Sequence, residues 1–181
     1  MHGKYFSLFR RVKGVDNTVE EPYEKKNYTI NYLSYQPTEK INLGIFQSTQ
    51  FFREDSVLSV PLNPLSFNPI MGLNLLADGF DSQKTKSILG INTGFRITKR
   101  QMLYGQFTID QNQHGWNKGF QLGWRSKNLF GIKNLNMQLE YNQADDHLYA
   151  ASNWRLSYTH FNLPIAHTLG NGFQELIFRL N

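Results

Sequence analysis

Cysteine is absent from this chain of 181 residues, which excludes a disulfide framework, a thiolate zinc site and a cysteine nucleophile. Charge is scarce: Asp, Glu, Lys and Arg make up 18% of the residues, where a soluble domain carries about 25%. The net charge is +5, yet the basic residues are scattered and form nothing longer than pairs such as Arg10-Arg11, Lys25-Lys26 and Lys99-Arg100. A phosphate backbone needs a basic stripe, so nucleic acid is not an expected partner. Long hydrophobic runs are lacking too. The longest uncharged stretch, 56–77, holds Pro61, Pro64, Pro69, Asn63, Asn68 and Asn74. These would break a membrane helix and leave polar groups in lipid. Residues 1–13 lack the apolar segment of a secretory signal.

What the chain has in excess is amides and aromatics. Asn and Gln number 18 and 12, and 14 Phe, 9 Tyr and 3 Trp supply 14% aromatic content. Many aromatics, many amides and few charges suit a sheet with one greasy face and one wet, uncharged face.

Period-two alternation runs from Tyr28 onward. In 87–97, Leu89, Ile91, Phe95 and Ile97 oppose Gly90, Asn92, Gly94 and Arg96. In 102–110, Leu103, Phe107 and Ile109 alternate with Tyr104, Gln106, Thr108 and Asp110. Phe120, Leu122 and Trp124 oppose Gln121, Gly123 and Arg125, and Leu135, Met137, Leu139 and Tyr141 oppose Asn136, Gln138, Glu140 and Asn142. Further strands are expected at Tyr28–Tyr32 (Tyr28, Ile30 and Tyr32 as the apolar row, alternating with Thr29 and Asn31), Ile41–Ile45, 153–161 (Trp154, Leu156 and Tyr158 on one face) and the last nine residues. No stretch of ten residues keeps a capped helical stripe. The expected fold is an all-β antiparallel meander over 28–181, with 1–27 an irregular or edge region, and Asp16, Glu20, Glu21 and Glu24 on an exposed loop.

Two architectures share this pattern. A soluble barrel turns its apolar face inward; a membrane barrel turns it outward around a polar lumen. Large polar groups interleaved with glycines on one face, and aromatics near strand ends on the other, favour part of a transmembrane outer-membrane barrel. Connections alternate short (37–40, 98–101, 128–133) with long (52–86, 111–117, 144–152), as short periplasmic turns and long outer loops would. The proline-punctuated 60–70 reads as an ordered loop. The 163–172 connection is longer than its parity predicts.

Several stretches together resemble a known family. NYLSYQPTEKINLGIFQSTQFF (31–52), PLNPLSFNPIMG (61–72), LGINTGFRITKRQMLYGQFTIDQ (89–111), FQLGWRSKNLFGIKNLNMQLEYNQ (120–143) and SYTHFNLPIAHTLGNGFQELI (157–177) are similar to Wzi-type capsule-assembly barrels. Within that family the gliding-motility RemB-like branch is the nearer likeness. Thr168 stands where that branch is expected to have proline. The resemblance implies a many-stranded outer-membrane barrel without catalytic residues, tied to attachment or organisation of surface polysaccharide or to surface motility. Its members are considerably longer, so the chain is expected to be truncated, its signal peptide missing. Expected partners are outer-membrane lipid and, beyond it, surface polysaccharide or the proteins of a motility or secretion machinery. No cofactor is expected.

Two groups of residues are candidates for ligand contact. On the polar face are Arg96, Tyr104, Asp110, Arg125 and Glu140, which could shape a pore or meet sugar, or simply offset one another as inward ion pairs at ~0–1 kcal/mol each. In the long loops are His114, Trp116, Asp146, His147 and Tyr149, which mix aromatic faces with hydrogen-bonding groups as a sugar ring needs. A metal site is not expected: His160 and His167 lie seven residues apart, where zinc pairs on one element sit about three to five apart. His167 is expected to hydrogen-bond within the 164–172 connection. Alternation puts Ser157 and His160 on opposite faces, against a hydrolytic pair. The alternative to a membrane barrel is a soluble antiparallel barrel binding a ligand inside; a barrel-embedded hydrolase is weaker still.

Overall fold

Alternating β-branched and aromatic residues favour extended backbone, and Thr or Asn at the strand ends folds the chain back. In the computed structural model, Thr38 Oγ1 accepts from Lys40 N at 3.3 Å, and Thr98 Oγ1 accepts from Arg100 N and Gln101 N at 3.2 and 3.1 Å. Asn112 Oδ1 accepts from His114 N, and Asn128 Oδ1 from Asn134 N, both at 2.9 Å. Each is a side chain standing in for a backbone turn bond. The structure describes residues 2–11, 23–52, 68, 70–160 and 163–181.

The strands are β1 (His2–Arg11), β2 (Tyr23–Thr38), β3 (Ile41–Phe52), β4 (Thr85–Arg96), β5 (Gln101–Asn112), β6 (Gly115–Ser126), β7 (Met137–Ala144), β8 (Thr159–His160), β9 (Leu163–Pro164) and β10 (Phe173–Leu180). A short helix, α1 (Leu73–Asp78), lies between β3 and β4. Eight strands form one antiparallel sheet in the order β1-β2-β3-β4-β5-β6-β7-β10; β8 and β9 form a separate small hairpin. The sheet is an open meander: β1 and β10 are its two edges and do not pair with each other. The expected all-β antiparallel meander is what is found.

Register assigns the faces. Leu33, Ile45, Ile91, Phe107, Phe120, Gln143 and Gln174 follow one another across β2 to β10 as directly paired residues. Next along the strands run Leu43, Phe95, Leu103, Trp124, Leu139 and Phe178 on the same face. This apolar face stays exposed: Leu122 and Leu176 are 59% and 69% accessible. The opposite face carries Asn42, Asn92, Tyr104, Gln121, Arg125, Gln138, Glu140 and Asn142. Among the described residues, seven hydrophobic side chains are buried against seventeen polar or charged ones. A globular core has the reverse balance.

Large groups on the polar face lie over paired glycines. The Phe46 ring covers Gly90 and the Tyr104 ring covers Gly123, where a Cβ would stand 2.2 and 2.1 Å from ring carbon. The glycines expected between bulky polar residues therefore make room for side chains crossing from the neighbouring strand.

Three sequence expectations need correction. No long strand forms over 153–161; the chain makes a 3-10 turn at Trp154–Leu156 and then the two-residue β8. Leu156 is instead drawn onto the polar face, where it is fully buried. The whole of 145–172 is therefore one connection, and the parity anomaly at 163–172 disappears. The connection expected to be long over 111–117 is a two-residue turn, Gln113-His114, because Gly115 adopts φ 104° and Asn112 closes the turn. In β2, Tyr28, Ile30 and Tyr32 sit on the polar face, and Leu33 and Tyr35 take the apolar one. Residues 1–27, expected to be an irregular or edge region, supply the edge strand β1 and the start of β2; of the four carboxylates placed on a loop there, Glu24 lies in β2 and Asp16, Glu20 and Glu21 fall outside the described residues. The 60–70 loop also lies outside them, save Asn68 and Ile70.

The sheet thus has a lower end with connections of two, four and ten residues (39–40, 97–100, 127–136) and an upper end with the turn 113–114 and the connections 12–22, 53–84 and 145–172. Gly115 at the upper β5–β6 turn has open space around a would-be Cβ. Gly115→Ala should therefore act through backbone strain alone and lower stability by about 1–2 kcal/mol. Urea denaturation beside the unsubstituted chain measures this.

Candidate functional site

The candidate site is the polar face and the connection that covers its upper half. Alternation fixes which side chains reach this face, and the β4–β5–β6–β7 register brings them together. Asp110 is the hub at the upper end. Its Oδ2 lies 3.0 Å from the Lys86 ammonium, both side chains being fully buried. Lys86 also donates to Gln111 O at 3.3 Å. Asn117 donates to Asp110 Oδ1 at 3.0 Å, and the backbone N–H of Tyr149 donates to Oδ2 at 3.0 Å. One carboxylate thereby ties β4, β5 and β6 to the 145–172 connection.

That connection crosses the upper polar face from β6 to β2. Leu148 packs against Gly119, and Leu148 and Leu156 are fully buried. The Tyr158 hydroxyl meets those of Tyr28 and Ser48, the latter donating at 2.9 Å. Tyr149 stacks on Tyr158 with centroids 5.6 Å apart. Gln50 donates its amide to the carbonyls of Leu156 and Ser157. Asn112 donates to His147 O at 2.9 Å, and Ser152 N and Oγ donate to Asp81 at 2.8 and 2.7 Å. So many directional bonds hold the connection in one place. Burial, reinforced by the neighbouring Tyr28 phenol, pushes the Tyr158 hydroxyl well above the ordinary tyrosine value, and burial raises Tyr149 as well.

Lower on the face, Glu140 is surrounded by donors. Tyr104 gives its hydroxyl proton, Gln121 and Asn142 donate at 2.9 Å each, and Gln138 donates at 3.0 Å. The Arg125 guanidinium sits 4.8 Å above the Tyr104 ring centre. An open depression of about 280 Å³ adjoins this cluster, lined by Asn42, Asn92, Tyr104, Gln106, Gln121 and Arg125. A smaller cavity of about 130 Å³ lies higher, between Gln106, Gln121, Asn142, Tyr149 and His167. Drug-sized ligands occupy about 300–1,000 Å³; the first approaches that size, and an open depression at the upper end, beside Asp145, Asp146 and His147, reaches about 590 Å³.

The expected polar-face residues all lie on that face, but not as the anticipated Arg–carboxylate pairs. Asp110 takes Lys86, Glu140 takes neutral donors, and Arg125 takes an aromatic ring. Arg96 is exposed at the lower end. Lys86, Asn117 and Tyr158 were not anticipated; Lys86 stands two residues before Ile88 in the same alternation, which was the available signal. The loop residues divide three ways. His114 and His147 stack with centroids 3.9 Å apart, and Asp146 lines the same open upper depression as His147. Trp116 leaves them for Phe80 on the apolar side, and Tyr149 joins the polar-face cover. His167 accepts from Leu169 N at 3.2 Å within its own connection, as expected, and meets Glu175 at 3.3 Å. No cluster of three or more His, Asp or Glu that could hold a metal occurs among the described residues.

No family model, no curated protein and no solved structure matches this chain.

Asp110→Asn leaves the Lys86 ammonium buried without its anion, and the expected loss is about 3–5 kcal/mol. The double variant Lys86→Met/Asp110→Asn should recover most of it in the same denaturation measurement. A phenol raised above its unfolded value stabilises the fold at every pH below about 10. That contribution is lost as pH climbs from 10 through the higher folded value. Absorbance titration at 295 nm should contain a late component that vanishes in Tyr158→Phe; a curve unchanged by the substitution would contradict the burial of this hydroxyl.

Proposed function

We propose that this chain is part of a transmembrane outer-membrane β-barrel, its apolar face against lipid and its polar face lining the lumen. The carrying observation is the inversion of the sheet: the face the chain covers is made of hydrogen-bonded amides, and the face it leaves open is Leu, Ile and Phe. Fifteen half-exposed apolar side chains at roughly 1 kcal/mol each represent on the order of 15 kcal/mol of unmade burial. That rivals the whole stability of a domain, about 5–15 kcal/mol. Water is therefore a poor solvent for this face and hydrocarbon a good one. From Leu89 in β4 to Ile97 one residue past its end, the apolar positions run about 26 Å along the chain at ~3.3 Å per residue. At a strand tilt of about 40° they rise roughly 20 Å, most of a lipid-facing band about 25 Å tall. Two of the three lower connections are short turns and three of the four upper ones are longer than ten residues, as periplasmic and outer sides would be. The exposed apolar side chains weigh against a soluble barrel, which needs them inward.

The role we infer is non-enzymatic, in surface polysaccharide assembly or attachment or in gliding motility, with the family resemblance of 31–177 as its support. Asp110 and Glu140, the carboxylates that hydrolysis would require, are already engaged by several donors each. The depression beside Tyr104 and Arg125 offers four amides and a guanidinium, the donors and acceptors that sugar hydroxyls take.

Produced in a Gram-negative host with an export signal, the chain should fractionate with outer membranes and need detergent for release. Leu122→Arg should cost ~2–4 kcal/mol at the centre of the band and deplete the heat-modifiable folded species. Gln106→Arg, on the polar face, should leave it intact. A monodisperse chain in detergent-free buffer, indifferent to Leu122→Arg, would sink the proposal.

A further inference from the structure

The upper margin of the apolar face is not bare. There the outward-pointing residues of β3 and β4 turn polar: Gln47, Thr49 and Ser87, which are buried, Thr49 and Ser87 being 3.1 Å apart across the strands. Asn31 on β2 donates to Asn68 O at 3.2 Å, and Gly72 N donates to Gln47 Oε1. Asn74, on α1, is buried as well. Asn68 and the 70–80 segment are thus fastened by hydrogen bonds to the outside of the sheet, on the opposite face from the 145–160 cover. Its other side is apolar. Ile70, Leu73 and Leu76 all point away from the sheet, Leu76 being 86% accessible. No charge occurs from Ile70 to Ala77. Beside it Trp116, 63% accessible, meets Phe80 edge-on with centroids 5.1 Å apart.

We propose that residues 70–80 form an interfacial anchor in the outer leaflet of the membrane, with Ile70, Leu73 and Leu76 reaching the acyl-chain boundary. This rests on the membrane-barrel reading above. Continuity with the apolar band and the level of the segment both point to lipid. The greasy surface of the anchor continues the exposed apolar band upward, at the height where the wall itself becomes polar. A strand wall cannot present Gln47, Thr49 and Ser87 to hydrocarbon without a partner, and the segment supplies that partner while renewing the apolar surface outside it. Trp116 stands at the same margin, where membrane proteins carry amphipathic aromatic rings. A six-residue helix is too short to bind lipid by itself; its attachment to β2 and β3 supplies the order that a longer amphipathic helix gets from its length.

The absence of cysteine makes the test direct. Leu76→Cys and Leu122→Cys each give a single labelling site. Each variant, refolded into phospholipid nanodiscs and nitroxide-labelled, is read by electron paramagnetic resonance. Oxygen, which partitions into hydrocarbon, and a water-soluble nickel chelate serve as relaxation agents. The label at 76 should be relaxed more by oxygen than by nickel, at a shallower depth than the label at 122. Nickel dominance at 76 would place it in water, and protection from both agents would mean a protein partner; either result overturns the anchor while an oxygen-dominated 122 leaves the barrel standing. Nickel dominance at 122 would overturn both.

Discussion

Side chains alternate across a strand, and in this protein that period-two constraint puts amides on the face the chain covers and hydrocarbon on the face it leaves open. Everything else in the structure follows from keeping that division consistent from β3 to β7. A one-residue slip in any hairpin would send Leu and Phe into the polar network and glutamines outward. The Thr and Asn side chains at the turns hold the register, and Phe46 over Gly90 and Tyr104 over Gly123 make it specific. Without the glycines the rings could not lie flat against the sheet.

A polar face cannot be covered cheaply, because each buried amide or carboxylate must find a partner. The upper end meets this requirement with long connections. On one side, 145–160 brings Leu148, Leu156 and Tyr158 over the sheet and offers the Tyr149 N–H to Asp110. On the other, 70–80 offers Gly72 N to Gln47. The Lys86–Asp110 pair sits between these layers. Its value lies in fixing which strands and which loop meet there, since desolvation of two buried ions offsets much of their attraction.

The faces of β4 to β7 were legible because their apolar residues alternate with few interruptions, at Thr93 and Gly105; Leu89 to Ile97, and Phe120 to Trp124, lie where alternation puts them. In β2 the same rule misled. Tyr28, Ile30 and Tyr32 look like an apolar row, but tyrosines tolerate a polar face, and Tyr28 uses its hydroxyl there. The 153–161 stretch misled for a related reason. Its alternation is real, but Leu156 and Tyr158 find burial on the existing sheet, which removes any need for another strand. The expected Arg–carboxylate pairs failed because strand order says which groups share a face and not how far each side chain reaches.

The sequence by itself determined the antiparallel meander, the two unlike faces of most strands and the scarcity of helix, since these depend on local periodicity and turn chemistry. Only the tertiary structure decided that Asp110 would meet Lys86, that Tyr158 would seal against Tyr28 and Ser48, and that α1 would lie on the outside of β3. Those pairings join residues far apart in the chain, and their cost is the entropy of closing long loops, which no local pattern records.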